Sequence, residues 1–194
     1  SRTSEGLDAY KKHNNIQFFD KKEAAINGLI ERWDEFRLQC PNKSQIILGY
    51  TRDEVCVLND KARETRRAHK ELGCEHKLNT GRGVRNFSEI DRIYFLRNEY
   101  NKLYVKNGTL GTIEKINGNK LTVKLDSSGI NNARSISFNL NDYSDIDHGY
   151  AATVHKSQGV TVDRTHVLAS PYFDRHTTYV AMSRHREGVD LYYS

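Results

Sequence analysis

Ala24, Ala25, Ile26, Leu29, Ile30, Trp33, Phe36 and Leu38 recur mostly three or four residues apart. That spacing predicts an amphipathic helix from about Lys21, ended by Cys40-Pro41-Asn42, since a residue before proline is pushed out of helical space. Upstream, Ser4 to His13 reads as a short helix with Ser4 as its cap, and Ile16 to Phe19 is a brief apolar run. Gln45-Ile46-Ile47-Leu48-Gly49-Tyr50 is a short continuous apolar run bounded by turn residues, the pattern of a strand covered on both faces. Arg52 to Leu72 then predicts a long helix, with Val55, Leu58, Ala62 and Leu72 as its apolar positions and Gly73 as its stop. Helix, strand, helix is the start of an α/β layer.

The period changes near Asn79. Thr80-Gly81-Arg82-Gly83 reads as loop. Strand patterns follow at Arg92–Leu96, Leu110–Ile116, Lys120–Leu125 and Ser135–Phe138, separated by the turn signals Asn107-Gly108, Asn117-Gly118 and Ser128-Gly129. Short strands at this spacing suggest a small barrel of the SH3 or OB kind. A helical period returns around Tyr150. Arg164–Leu168 reads as a strand, Asp174–Met182 as a helix and Val189–Tyr193 as a last strand. The expected fold class is therefore α/β, with a β-rich insert inside a parallel-sheet domain.

Composition narrows the classes. Lys and Arg total 30 against 25 Asp and Glu, a net charge of +5, which permits a polyanionic partner without requiring one. No apolar run approaches the roughly 18 residues of a membrane span, and no apolar stretch follows Ser1 to Glu5 as in a signal peptide. Three cysteines, Cys40, Cys56 and Cys74, without CxxC spacing argue against a disulfide framework or a zinc ribbon and suggest a reducing, cytoplasmic setting.

Common catalytic signatures are missing. Without a Gly-Lys pair the chain has no GxxxxGK[ST] phosphate loop. Asp34-Glu35 falls mid-helix, and Asp53-Glu54 falls in a first helical turn, where carboxylates favour the helix dipole. Neither ends a buried strand, as a magnesium-holding pair should. The histidines of the C-terminal quarter match neither HxxxH nor HExxH, so no metal site is expected. His155-Lys156-Ser157-Gln158-Gly159 is not a GxSxG elbow. The basic run Lys61, Arg63, Arg66, Arg67, Lys70 reads as a solvated helix surface.

Two segments near the C-terminus carry more information. Gly149 to Thr161 contains Thr153-Val154-His155-Lys156-Ser157-Gln158-Gly159 and reads as a short helix, with Thr153 and Ser157 on one face and glycine allowing close backbone approach at its end. Tyr179-Val180-Ala181-Met182-Ser183-Arg184-His185-Arg186 reads as a helix that presents Arg184 where the chain turns toward a strand.

Together the two segments resemble motifs V and VI of superfamily 1 helicases of the RecD type, in order and 20 residues apart from Gly159 to Tyr179. Ile46 to Val55 followed by Leu58-Asn59 resembles motif IV. Asp91–Asn98, Val105–Thr112 and Asp145–Tyr150 resemble the Ti-type TraA relaxase-helicase family, so the similarity spans nearly the whole chain.

The resemblance implies a C-terminal RecA-like domain, 2A, in two segments (1–80 and 143–194). It lacks its own P-loop and is interrupted at 81–142 by an SH3-like β-barrel insert, 2B. It implies Arg184 as an arginine finger, with Gln158, Gly159 and, more weakly, Arg52 at the nucleotide. It also implies Thr153, His155 and Lys156 on single-stranded DNA, with Lys106 and Asn107 of the insert on the same strand. ATP and magnesium would be held mainly by an upstream RecA-like domain, 1A, so the chain alone is expected to show no ATPase. The alternative is a non-catalytic nucleic-acid-binding module.

Overall fold

The computed structural model describes residues 15–18, 21–127, 133–169 and 185–193. The predicted helices at Ser4–His13 and Asp174–Met182, the turn signal at Ser128-Gly129 and residues 179–184 of the second C-terminal segment lie outside them. The chain forms two compact units, one of residues 1–62 with 151–194 and one of residues 63–150. The second takes in more chain than the insert expected at 81–142, because its packing includes the C-terminal end of a helix and an extra hairpin.

The first unit is a five-stranded parallel sheet. Its strands are β1 (Asn15–Phe18), β2 (Gln45–Gly49), β10 (Ala151–Thr153), β11 (Val162–Ala169) and β12 (His185–Tyr193), in the order β1-β12-β11-β2-β10. Ile46, Ile47 and Leu48 are all buried, as a strand of a covered parallel sheet requires. Helix α1 (Lys22–Gln39) turns Ala25, Ile26, Leu29, Ile30 and Trp33 inward. It ends where the Cys40 N–H bonds the Phe36 carbonyl, directly before Pro41. Helix α2 (Arg52–Ala68) follows β2 and contributes Val55, Leu58 and Ala62 to this core.

The second unit is antiparallel. Strands β5 (Arg92–Phe95), β6 (Leu110–Asn117), β7 (Lys120–Leu125), β8 (Ser135–Asn139) and β9 (Ile146–His148) form a sheet in the order β8-β7-β6-β5-β9. A separate hairpin joins β3 (His76–Thr80) to β4 (Gly83–Phe87). Ile93, Phe95, Ile113, Leu121, Val123, Phe138 and Ile146 share one core with Leu78 and Phe87 of that hairpin. The β6–β7 loop is Gly118-Asn119, and Gly118 at φ 61° supplies the positive dihedral that a two-residue hairpin loop needs at its first position.

Two expectations are corrected. Helix α2 ends at Ala68, short of Leu72, and Lys70 rather than Gly73 takes the left-handed turn, at φ 58°. Glu71 N–H bonds Arg66 O and Lys70 N–H bonds Arg67 O, the paired bonds of a Schellman cap. The run Arg63, Arg66, Arg67 is not simply a solvated surface. Arg63 forks onto the fully buried Asp91 carboxylate at 2.9–3.2 Å and reaches Glu75 at 2.8 Å. Arg66 donates to Ile90 O and to the Tyr150 hydroxyl, and Arg67 pairs with Glu75. Tyr150 in turn donates to Asp91 at 2.6 Å, and Ser88 N–H donates to the same carboxylate at 2.8 Å. Burial and the neighbouring Asp91 charge both raise the Tyr150 hydroxyl above its usual range, keeping it a donor.

Candidate functional site

In an open α/β sheet, ligand-binding groups gather beyond the carboxyl ends of parallel strands. Here β2 and β10 end side by side, with Thr153 in register with Gly49, and the Val154 N–H continues the pairing to Gly49 O at 2.9 Å. The chain leaving β2 enters α2 at Arg52. The chain leaving β10 enters a tight turn at His155–Gly159.

Each turn is held by its own short polar side chains. After β2, Thr51 and Glu54 form a reciprocal capping box. Glu54 N–H donates to Thr51 Oγ1, and the Glu54 carboxylate accepts from the Tyr50 and Thr51 N–H groups, all at 3.1 Å. The buried Glu54 also meets Lys22 Nζ at 2.9 Å. The acid read from sequence as a plain dipole partner therefore fixes the strand-to-helix turn. The signal was present as Thr51-x-x-Glu54. Gly49 lets the two elements approach closely, since an added Cβ would sit 3.3 Å from Glu54 Cβ.

After β10, the segment expected as a short helix is a strand followed by a 3₁₀ turn, Lys156–Gly159. Two forces override its helical period. Ala151 and Ala152 pair with β2, and the buried Asn59 side chain bonds both the N–H and the carbonyl of Ala151 at 2.9 and 3.3 Å, acting as one further strand position. Thr153 and Ser157 therefore do not share a helix face. Thr153 Oγ1 accepts the Lys156 N–H at 3.1 Å, and the buried Ser157 hydroxyl donates to Val154 O at 2.8 Å. With those groups satisfied internally, the turn leaves His155, Gln158 and Gly159 exposed and Lys156 half-buried.

The structure thus gathers Arg52, Thr153, His155, Lys156, Gln158 and Gly159 onto two loops at one edge of one sheet. Arg52 is exposed in the first turn of α2. This set offers a guanidinium, an amide, an imidazole, an ammonium and backbone close to a glycine. That chemistry suits phosphate oxygens. Lys106 and Asn107 belong to the other unit, in the loop between β5 and β6. Lys106 is exposed, and the Asn107 N–H bonds Asn98 Oδ1 at 2.7 Å. Arg184 lies outside the described residues. Among the described residues no group of three or more His, Cys, Asp or Glu is arranged to hold a metal, and no helix is long and apolar enough to cross a membrane.

A buried polar set behind the edge is not legible from the motifs. Asp190 on β12 receives Arg164 at 2.6 Å and lies 3.1 Å from His166 Nδ1, while His166 Nε2 meets Gln45 Oε1 at 2.7 Å. Burial alone would raise the Asp190 carboxyl. The neighbouring His166 and the hydrogen-bonded Arg164 outweigh it and lower the carboxyl to about 2.

Comparison with known proteins shows the family and the fold. The chain is 39% identical over 189 residues to a probable conjugal transfer protein TraA of Sinorhizobium fredii, covering 96% of this chain and 16% of that protein. It is 33% identical over 101 residues to the ATP-dependent RecD2 DNA helicase of Deinococcus radiodurans, covering 50% of this chain and 13% of that one. The chain therefore spans only about a sixth or less of the length of these two relatives. Its fold is similar to that of a Bacteroides Pif1 helicase crystallised with ADP-AlF3 and single-stranded DNA. The TM-score is 0.54 at 22% identity, over 89% of this chain and 50% of that one. The model of the viral superfamily 1 RNA helicase core domain matches residues 76–193, more than half of the sequence. On that match, the chain belongs to the superfamily 1 helicase core-domain family.

Proposed function

We propose that this chain is the second RecA-like domain, 2A, of an ATP-dependent DNA helicase or translocase in conjugative DNA transfer, and that its antiparallel unit is the SH3-like insert 2B. The carrying observation is the pair of loops at the carboxyl ends of β2 and β10, where Arg52, His155, Gln158 and Gly159 lie exposed on internally bonded frames. On this reading Gln158, Gly159 and Arg52 face the nucleotide. Thr153, His155 and Lys156, with Lys106 and Asn107, hold the phosphates of single-stranded DNA, giving sequence-independent, salt-sensitive binding. The triphosphate and magnesium belong to an upstream RecA-like domain, and this chain closes the other wall, in the cytoplasm. Arg184 is the arginine finger. A guanidinium suits that role because it is permanently charged and fork-shaped.

The test uses a polypeptide that includes the upstream domain. Arg184→Ala is expected to lower DNA-stimulated ATP hydrolysis by roughly 10³–10⁵-fold, the range for such fingers. Affinity for a single strand should stay within about threefold. A restored protein that binds DNA and never hydrolyses ATP would instead favour the non-catalytic binding module.

A further inference from the structure

The loop joining β5 to β6 displays two exposed aromatic rings. Tyr100 is 56% and Tyr104 64% exposed, while Leu103 and Val105 beside them are buried. Among the described residues neither ring is in contact with another aromatic ring.

The loop is held rigid. Glu99 and Val105 exchange both backbone hydrogen bonds at 2.8 and 2.9 Å, closing a five-residue turn. The Glu99 carboxylate accepts the N–H groups of Asn101, Lys102 and Leu103, and these bonds, with Leu103 foremost, hold its pKa below the usual carboxylate value. Arg134 clamps the other side by donating to the carbonyls of Leu103 and Tyr104 at 2.9 and 2.6 Å. Tyr104 sits at φ 56°, a conformation costly for a residue with a ring. Such strain persists where surroundings over-determine it, and it clusters at sites that bind.

Lysines interleave the rings. Lys102 lies within the turn and Lys106 directly after its closing pair, and both are exposed. Exposed aromatics alternating with cations on a preorganised loop are the arrangement that stacks bases and neutralises the backbone of a single strand. Preorganisation means little loop entropy is lost on binding.

We propose that Tyr104, with Tyr100, forms a base-stacking platform for single-stranded nucleic acid, Lys102 and Lys106 holding the flanking phosphates. The proposal rests on the reading above that this chain binds single strands, and adds that the loop contacts bases as well as phosphates. Stacking needs no hydrogen-bond readout, so the platform tolerates any base sequence.

The experiment is an anisotropy titration of the whole chain with a fluorescent oligothymidylate and with an abasic strand of equal length. Tyr104→Ala and the Tyr100→Ala/Tyr104→Ala pair are expected to weaken oligothymidylate binding by roughly 5- to 150-fold, the range for one stacked base. Abasic binding should be unchanged, and Tyr104→Phe should restore wild-type affinity. Equal losses on both strands, or no loss on either, overturn the platform. If Lys156→Ala weakens binding while the tyrosine variants do not, the single-strand reading stands and the platform falls. If the wild-type chain binds neither strand, both fall. An intact thermal transition in each variant excludes misfolding, since both side chains are mostly solvent-exposed.

Discussion

Each of the two units buries an aspartate against an arginine, and the two acids are used differently. In the antiparallel unit, Asp91 is the hub of a closed network. Arg63, Tyr150 and the Ser88 N–H all donate to it, and Arg63 and Tyr150 are the first and last residues of the unit. One carboxylate thus fastens the two ends of an 88-residue segment. In the parallel unit, Asp190 has one arginine and one histidine, both on the neighbouring strand β11. It supports the sheet locally, toward the amino end of β2, where His166 meets Gln45. The difference shows how basic residues of similar appearance are put to structural use. The arginines at the end of α2 are bonded within the antiparallel unit. After β10, Thr153 and Ser157 satisfy the backbone of their turn, and His155 and Gln158 are exposed.

Paired substitution at the two acids gives the largest expected effect. Asp91→Ala leaves Arg63 buried and strips Tyr150 of its acceptor. It should destabilise the protein by about 3–5 kcal/mol, the range for breaking a buried ion pair from one side. Asp190→Ala should cost less, about 2 kcal/mol, the equivalent of its lowered pKa. Urea unfolding of both variants measures the order, and a reversed order breaks the comparison.

Acid titration sharpens it. The Asp190 carboxyl is lowered from 3.8 to about 2 on folding. A depressed acid stabilises the fold above its unfolded value, and that contribution is lost as protons bind the native state less readily than the unfolded one. Wild type should therefore lose about 2 kcal/mol relative to Asp190→Asn between pH 4 and pH 2. Chemical denaturation of the two proteins across that window checks it, and parallel curves would contradict the assigned partners.

The smallest effect concerns the helix end inside the antiparallel unit. Lys70 caps α2 at positive φ, where glycine carries no Cβ penalty. Lys70→Gly should raise stability by about 0.5–1 kcal/mol. A loss of that size in thermal denaturation would mean that the lysine side chain matters more to the cap than its backbone angle.

Strands β5 to β8 of the antiparallel unit were legible in the sequence, whereas β3, β4 and β9 were not. The alternation along β5 to β8 and the turn at Asn117-Gly118 report contacts between chain neighbours, and local contacts leave local patterns. Helix α1 and strands β2, β11 and β12 were legible for the same reason. Their apolar periods are intrinsic to helix and strand geometry. The sequence also singled out Arg52, Thr153, His155, Lys156, Gln158 and Gly159, which the structure places where β2 and β10 end side by side.

What the sequence could not decide was the conformation of residues 149–161 and the partners of the arginines. A helical period there gives way to a strand because β2 supplies hydrogen bonds from 104 residues away in the chain and Asn59 completes them from the other side. Arg63 and Asp91 are 28 residues apart, with a hairpin between them. Local propensity amounts to tenths of a kcal/mol per residue, whereas an unpaired buried backbone group costs about 1–3 kcal/mol, so tertiary hydrogen bonding prevails wherever the two disagree. The sequence determined most of the elements and named the residues of the candidate site. Only the tertiary structure decided which of its polar residues hold the fold and which lie at the surface, because that division depends on partners far away in the chain.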